Sequence, residues 1–259
     1  MKLEVACFNL ESVAIVAQSD ADRVEFCADF ETGGTTPSSV NIIKARQMFT
    51  KELLVMIRPR GGDFYYFEKE FNIMKDSILE LKSTGIDGFV FGILDENNNL
   101  DIRRNSELVS LAKPLPCSFH RAIDYTNDYF EAINTCITIG FKTVLTSGNQ
   151  SKIELGMKTV QEAIIRFGNQ IQIMPGGSLR SSNASKVKAI TNATYYHTSA
   201  ITDATEIANL TEINALIKCL TNEKKRVYSI HRINLFYLWM ESKLGALPFQ
   251  RRLEVSKIF

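Results

Sequence analysis

Two arginines, Arg58 and Arg60, close the apolar run Leu53-Leu54-Val55-Met56-Ile57 and are followed by Gly61-Gly62-Asp63. Guanidinium forks two residues apart share a face if one strand carries both, and such a pair suits a carboxylate or a phosphate. The same residues could instead cap a helix or form an inter-strand ion pair with Asp63. His120-Arg121, with Asp124 just beyond, offers a group that titrates near neutrality. His120 is the candidate general acid or base, adjusted by Glu25 or Asp124, or else a link tying Arg121 and Asp124 into the fold. Thr146-Ser147-Gly148, Gly176-Gly177-Ser178 and His197-Thr198-Ser199 add hydroxyls and backbone N–H groups of the kind that cradle anions.

These residues need a scaffold that brings them together. Apolar β-runs alternate with helical patterns along the chain. The expected strands are 3–7, 23–27, 53–58, 88–94, 116–120, 142–147, 171–174 and 195–199. The helices between and after them fall near 10–18, 38–49, 67–83, 103–111, 129–139, 152–167, 181–190 and 210–220. Eight strand–helix units imply a parallel sheet closed as a (β/α)₈ TIM barrel. A doubly wound sheet is the rival, but no glycine-rich dinucleotide turn follows the first strand. In such a barrel, function belongs at the C-terminal ends of the strands. Those ends carry Glu4, Glu25 with Cys27, Arg58, Arg60, His120, Ser147, Gly176, Gly177 and Ser199, whereas the opposite ends carry short polar links. The expected domain is 1–222. The tail 223–259 breaks the pattern and is left to packing, subunit contact or disorder, with His231 kept out of the site.

The chain has 259 residues, 30 basic and 29 acidic, so no charge field points to nucleic acid or a membrane surface. Glu4, Asn9 and Glu11 interrupt any signal-peptide core, no apolar run has membrane-spanning length, and five cysteines show no framework spacing. The expected setting is cytoplasmic, with reduced thiols. Schiff-base chemistry lacks a lysine at a C-terminal strand end, since Lys142 begins its strand. Zincin spacing and a serine-hydrolase elbow are also absent.

The stretches Ala21-Asp22-Arg23-Val24-Glu25-Phe26-Cys27, Gly33-Gly34-Thr35-Thr36-Pro37-Ser38 and Ile57-Arg58-Pro59-Arg60-Gly61-Gly62-Asp63-Phe64 resemble the CutC family of copper homeostasis proteins. So do Phe119-His120-Arg121-Ala122, Leu145-Thr146-Ser147-Gly148 and Met174-Pro175-Gly176-Gly177. The resemblance runs from about residue 3 to 200. It implies a (β/α)₈ barrel, a cytoplasmic homo-oligomer, and Cu(I) bound on two cysteines at the ends of the first two strands. Cys27 matches the second. Ala6 stands at the first, and Cys7 follows it; alternation points Cys7 toward the helices unless a bulge turns it back. Met56 is a candidate thioether beside Cys27, since Cu(I) favours soft ligands; a buried cysteine acting as a small hydrophobe is the plain alternative. Ser178 replaces a family glycine. Copper homeostasis with Cu(I) at Cys27 and Cys7 is thus the first expectation. The second is an enzyme acting on a small anionic or phosphorylated metabolite, with His120, Glu25 and Asp124 as catalytic groups. Its ligand would be held by Arg58, Arg60, Asp63, Arg121, Ser147, Gly176, Gly177 and Ser199.

Overall fold

The computed structural model describes residues 1–221. The expected tail 223–259, every role offered for it and His231 lie outside the described residues. The first half of the fold comprises β1 (Lys2–Cys7), α1 (Leu10–Val16), β2 (Arg23–Phe26), α2 (Ser39–Met48), β3 (Glu52–Met56), α3 (Glu68–Leu81), β4 (Gly88–Phe91) and α4 (Ile102–Ala112). The second half comprises β5 (Cys117–Phe119), α5 (Tyr129–Ile139), β6 (Thr143–Thr146), α6 (Ile153–Phe167), β7 (Gln172–Pro175), α7 (Ser181–Thr191), β8 (Tyr195–Thr198) and α8 (Leu210–Thr221). Short 3₁₀ turns at Phe30–Thr32 and Arg121–Tyr125 lie in the loops after β2 and β5.

All strand pairs are parallel, in the order β7-β6-β5-β4-β3-β2-β1-β8. Because β1 pairs with both β2 and β8, the sheet curls round into a nearly closed (β/α)₈ barrel, as the alternating pattern predicts. Strand alternation divides the side chains into two layers. Leu3, Val5 and Cys7, Val24 and Phe26, Leu53 and Val55, and Phe89 and Phe91 pack outward, in one apolar cluster with helical residues such as Val13, Ile42, Phe71 and Leu108. The opposite set faces the barrel interior, and there Cys27, Leu54, Met56 and Val90 form a separate small cluster.

Several strands end sooner than their apolar runs suggest. Residue 58 was expected inside the third strand, but β3 stops at Met56. Ile57 N–H still reaches Val90 O, whereas Arg58 N–H turns to the Thr36 hydroxyl and Arg58 O accepts Thr36 N–H. Pro59 has no N–H to continue a ladder, so the chain leaves the sheet to pair with the loop after β2. Arg58 and Arg60 therefore share no strand face.

Candidate functional site

A cavity of about 660 Å³ opens among the loops that follow the strands. This is the rim where barrels carry chemistry, and the volume suits a small molecule. One wall is apolar: Cys27, Met56 and Phe8 line it, and Leu54 and Val90 back it. The rest is polar and comes from several strand ends.

The acidic side belongs to β1, β2 and β8. Ladder register sets Glu4 opposite both Arg23 and His197, and Ala6 opposite Glu25. Glu4 bonds Arg23 Nε and, at 2.7 Å, His197 Nδ1. His197 Nε2 stands 3.6 Å from Glu25 Oε2, while the buried Glu25 Oε1 has no partner. Burial pushes Glu25 up, the Glu4 charge adds to this, and the neighbouring His197 and Arg23 pull back; it titrates at about 7. Burial opposes ionisation of Glu4 and of His197 as well. For both, the mutual hydrogen bond and adjacent charges outweigh burial, so Glu4 is held low and His197 high.

His120 lies beyond β5, its ring 4.8 Å from that of Phe64. Gly92 makes room for it: a Cβ there would stand 2.8 Å from His120 Cε1 and Nδ1. Nδ1 accepts the Ala122 N–H at 3.3 Å, so the proton of the neutral ring sits on Nε2, which is buried without a partner. Burial and the Arg58 charge push His120 down to about 3. Neither Glu25 nor Asp124 is among the groups that shift it, so the adjustment expected from them is not found; at neutral pH the ring is neutral, with Nε2–H as its donor.

Arg58 is buried and donates to the carbonyls of Thr32 (2.9 Å), Gly34 (2.9 Å) and Gly62 (2.8 Å), clamping the loops after β2 and β3 together. Its guanidinium also lies 5.0 Å from the centre of the Phe64 ring and borders the cavity. Arg60 does not line the cavity. It turns to Glu70 (2.6 Å), Asp63 (2.9 Å) and Tyr65 O (2.7 Å), which realises the ion-pair reading of Arg60 and Asp63.

The side chain of Asp124 is buried beneath the rim. It accepts from Thr146 Oγ1, from Ser147 N–H and Oγ, from Asn149 N–H and from Arg121 Nε, all at 2.6–3.0 Å. Every acceptor position is used, so Asp124 shapes the loop after β6 and is no catalytic group facing a ligand. Ser147 also gives Oγ to this knot and, like Asp124, stands outside the cavity lining. Arg121 lines the cavity while paired to Asp124. Gly176 packs against Leu145 and His197 rather than a ligand space, whereas Gly177 and Ser199 line the cavity.

Ser178 and Arg180 also line the cavity and were not among the expected ligands. Ser178 stands at φ 60°, the left-handed region that favours glycine, which explains the glycine of the family pattern. Arg180, just before α7, donates to Leu179 O (2.7 Å), Ile201 O (2.8 Å), Thr198 Oγ1 (3.3 Å) and Ser199 Oγ (3.5 Å). The apolar-period reading placed residue 180 next to a helix start, and an arginine there gave no signal of facing a strand-end cavity.

For metals, Cys27 is the thiol that lines the cavity. Burial, with the Glu25 charge, holds it well above the usual thiol range. Cys7 faces the helices, as alternation predicts, with Sγ toward Val5 O, so no bulge brings it to Cys27. Glu4, Glu25 and His197 each bring a ligand atom within 4.8 Å of the others, but these are hard or borderline donors already engaged with one another and Arg23. Among the described residues no helix is long and apolar enough to cross a membrane.

Residues 1–202 match the model described as the CutC family. The chain is 38% identical over 198 residues to the copper homeostasis protein cutC homolog of Homo sapiens, covering 76% of this chain and 72% of that protein. It is 37% identical over 199 residues to a CutC family protein of Photorhabdus laumondii, covering 77% and 79%. A crystal structure of CutC from Streptococcus agalactiae superposes with a TM-score of 0.74 at 31% identity, over 78% of this chain and all of that one. Phosphoribosylanthranilate isomerase of Thermotoga maritima, at 13% identity and TM-score 0.58 over 86% of this chain and 99% of that one, shares the barrel fold alone.

Proposed function

For a chain that belongs to the CutC family, we propose a catalytic role centred on the rim cavity: it takes a small metabolite and moves a proton on it through Glu25. One observation carries this reading. Glu25 is 3% exposed, leaves Oε1 unpartnered at the cavity, and titrates at about 7. A carboxyl poised there can both take and return a proton at neutral pH. His197, its titration raised by Glu4, and Arg23 are the neighbours that keep Glu25 from rising further. His120 supplies a neutral N–H to the same space.

The test is a ¹³C NMR titration of the Glu25 carboxyl carbon. A midpoint near neutrality supports the reading, and one in the ordinary carboxylate range near ~4.3 sinks it. Stability follows with a definite sign. The folded state keeps the Glu25 proton to higher pH than the unfolded chain does. This contribution is therefore complete at low pH and disappears as pH rises through about 7. Glu25→Gln should flatten that slope and gain stability relative to wild type at pH values above it, read from denaturation midpoints.

A second reading is cytoplasmic Cu(I) binding in copper homeostasis. The observation in its favour is that Cys27 and Met56, a thiol and a thioether, share one cavity wall. The five cysteines are free thiols, which supports a reducing compartment, and the homo-oligomer implied by the resemblance belongs to this reading. Cys7 stands outside the cavity, so the metal would rest on Cys27 and Met56. In an anaerobic Cu(I) competition titration, Cys27→Ser should abolish binding and Cys7→Ser should leave it. Wild-type binding no tighter than a free thiol would end this reading.

A further inference from the structure

Three arginines line the cavity, and they differ in how their charge is met. Arg121 is neutralised by Asp124 at 3.0 Å. Arg58 and Arg180 have no carboxylate within 4.0 Å among the described residues, and the carbonyls they bond carry no net charge. Arg58 is 4% exposed and Arg180 half-buried. Buried guanidinium without a counter-charge is expensive, and folds pair it where they can. Glu212 acts on Arg180 through its charge without an ion-pair contact, its two oxygens accepting from Ser181 N–H and Oγ, both at 2.7 Å.

Unpartnered donors point the same way. Arg58 Nε is buried with no acceptor, and so is Nε2 of His120, itself 4% exposed. Both residues border the cavity from the β3 and β5 side. Arg180, Ser178 and Ser199 border it from the β7 and β8 side. A set of donors, with two guanidinium groups that have no adjacent carboxylate among the described residues, thus surrounds one small-molecule space.

We infer that the cavity carries an oxyanion subsite at its β7–β8 edge, anchored by Arg180 with the Ser199 hydroxyl beside it. Arg58 and His120 donate from the facing wall, so the ligand is a small metabolite bearing a phosphate or carboxylate group. This deepens the reading given above by naming the substrate class, and rests on it only for the word metabolite. Arg180 supplies charge, and its Nε–H, the donor not turned to Leu179 O, Thr198 Oγ1, Ser199 Oγ or Ile201 O, is the one that meets such a group.

The test uses inorganic phosphate and, separately, acetate as probes on the full chain, followed by calorimetry and by the Arg180 Nε–Hε resonance. Saturable binding that shifts this resonance in wild type is expected, for phosphate alone or for both, and the stronger probe identifies the group. Arg180→Gln should weaken binding by about tenfold or more and Arg180→Lys by less, because the charge is kept. The wild-type resonance keeps the test decisive should Arg180→Gln loosen the β7 and β8 loops. Neither probe binding, or binding that leaves the Arg180 resonance unmoved, overturns the inference. Phosphate binding is read at Arg180 and the proton site at Glu25, each in the wild-type protein. The anion subsite and the proton-transfer reading therefore fail separately: the first by lost binding, the second by an ordinary Glu25 titration.

Discussion

At the scale of single residues, the rim separates groups that look alike in the sequence. Asp124 and Glu25 are both acids close to His120 or Cys27 in the motifs, yet one is saturated and the other is left open. Asp124 takes six hydrogen bonds from the β5 and β6 loops, counting both contacts of Ser147 N–H. Asp124→Asn would set an amide N–H₂ against donors that need an acceptor. We expect a loss of about 2–4 kcal/mol in chemical denaturation. A change under about 0.5 kcal/mol would mean the carboxylate is not what orders that loop. The paired arginines divide in the same way. Arg58 turns inward to three carbonyls, and Arg60 turns outward to Glu70, whose other oxygen caps α3 at Phe67 N–H. Spacing alone made them equivalent; the strand stops at Met56, before either of them, and the loop that follows turns the two apart.

At the scale of elements, the loop after β6 is fixed from outside as well as from within. Helix α6 runs so close behind it that a Cβ on Gly156 would lie 1.8 Å from Ser147 O and 3.0 Å from Gly148 Cα. Gly148 itself stands at φ 76° and leaves no space for a side chain, since its Cβ would meet Gly156 O at 2.4 Å. Two glycines eight residues apart thus let a helix rest on a strand-end turn. Gly156→Ala should cost about 3 kcal/mol, because backbone rather than a flexible side chain must move. It should also shift the amide resonances of Ser147 and Gly148. An unperturbed turn would show that α6 does not position the rim.

At the scale of the molecule, strain and protection are distributed in opposite directions. Seven non-glycine residues have positive φ among the described residues. Six of them (Asp29, Asn98, Asn149, Ser178, Ala200 and Glu206) lie on loops that follow strands, and Asn192 ends α7. Backbone held in such conformations gathers where a fold presents ligand-binding groups. The thiols are instead protected: Cys7, Cys27, Cys117 and Cys136 are at most 2% exposed, and Cys219 is partly exposed. Burial raises all four buried thiols, with Cys117 at about 12. A disulfide reagent at neutral pH should therefore modify Cys219 first and the other four only as the barrel unfolds. Rapid native reaction of Cys27 would reveal that the rim opens enough to admit a soft electrophile or metal.

The sequence by itself determined the barrel and the end of it where the cavity opens. Eight apolar runs separated by helical periods can bury both faces of their strands only in a parallel, helix-covered sheet, and polar residues recur at one set of strand ends. Alternation was local enough to turn Cys7 away from Cys27 before any coordinates. Which acid would stay open, which histidine would stay neutral and which arginine would stay unpaired were not local properties. Burial raises Glu25 and His197, 172 positions along the chain, pulls it back; burial and then Arg58, from another loop, hold His120 low. Arg180 carried no motif at all. Titration and ion pairing depend on burial and on charges a few ångströms away, and only barrel closure brings those neighbours together.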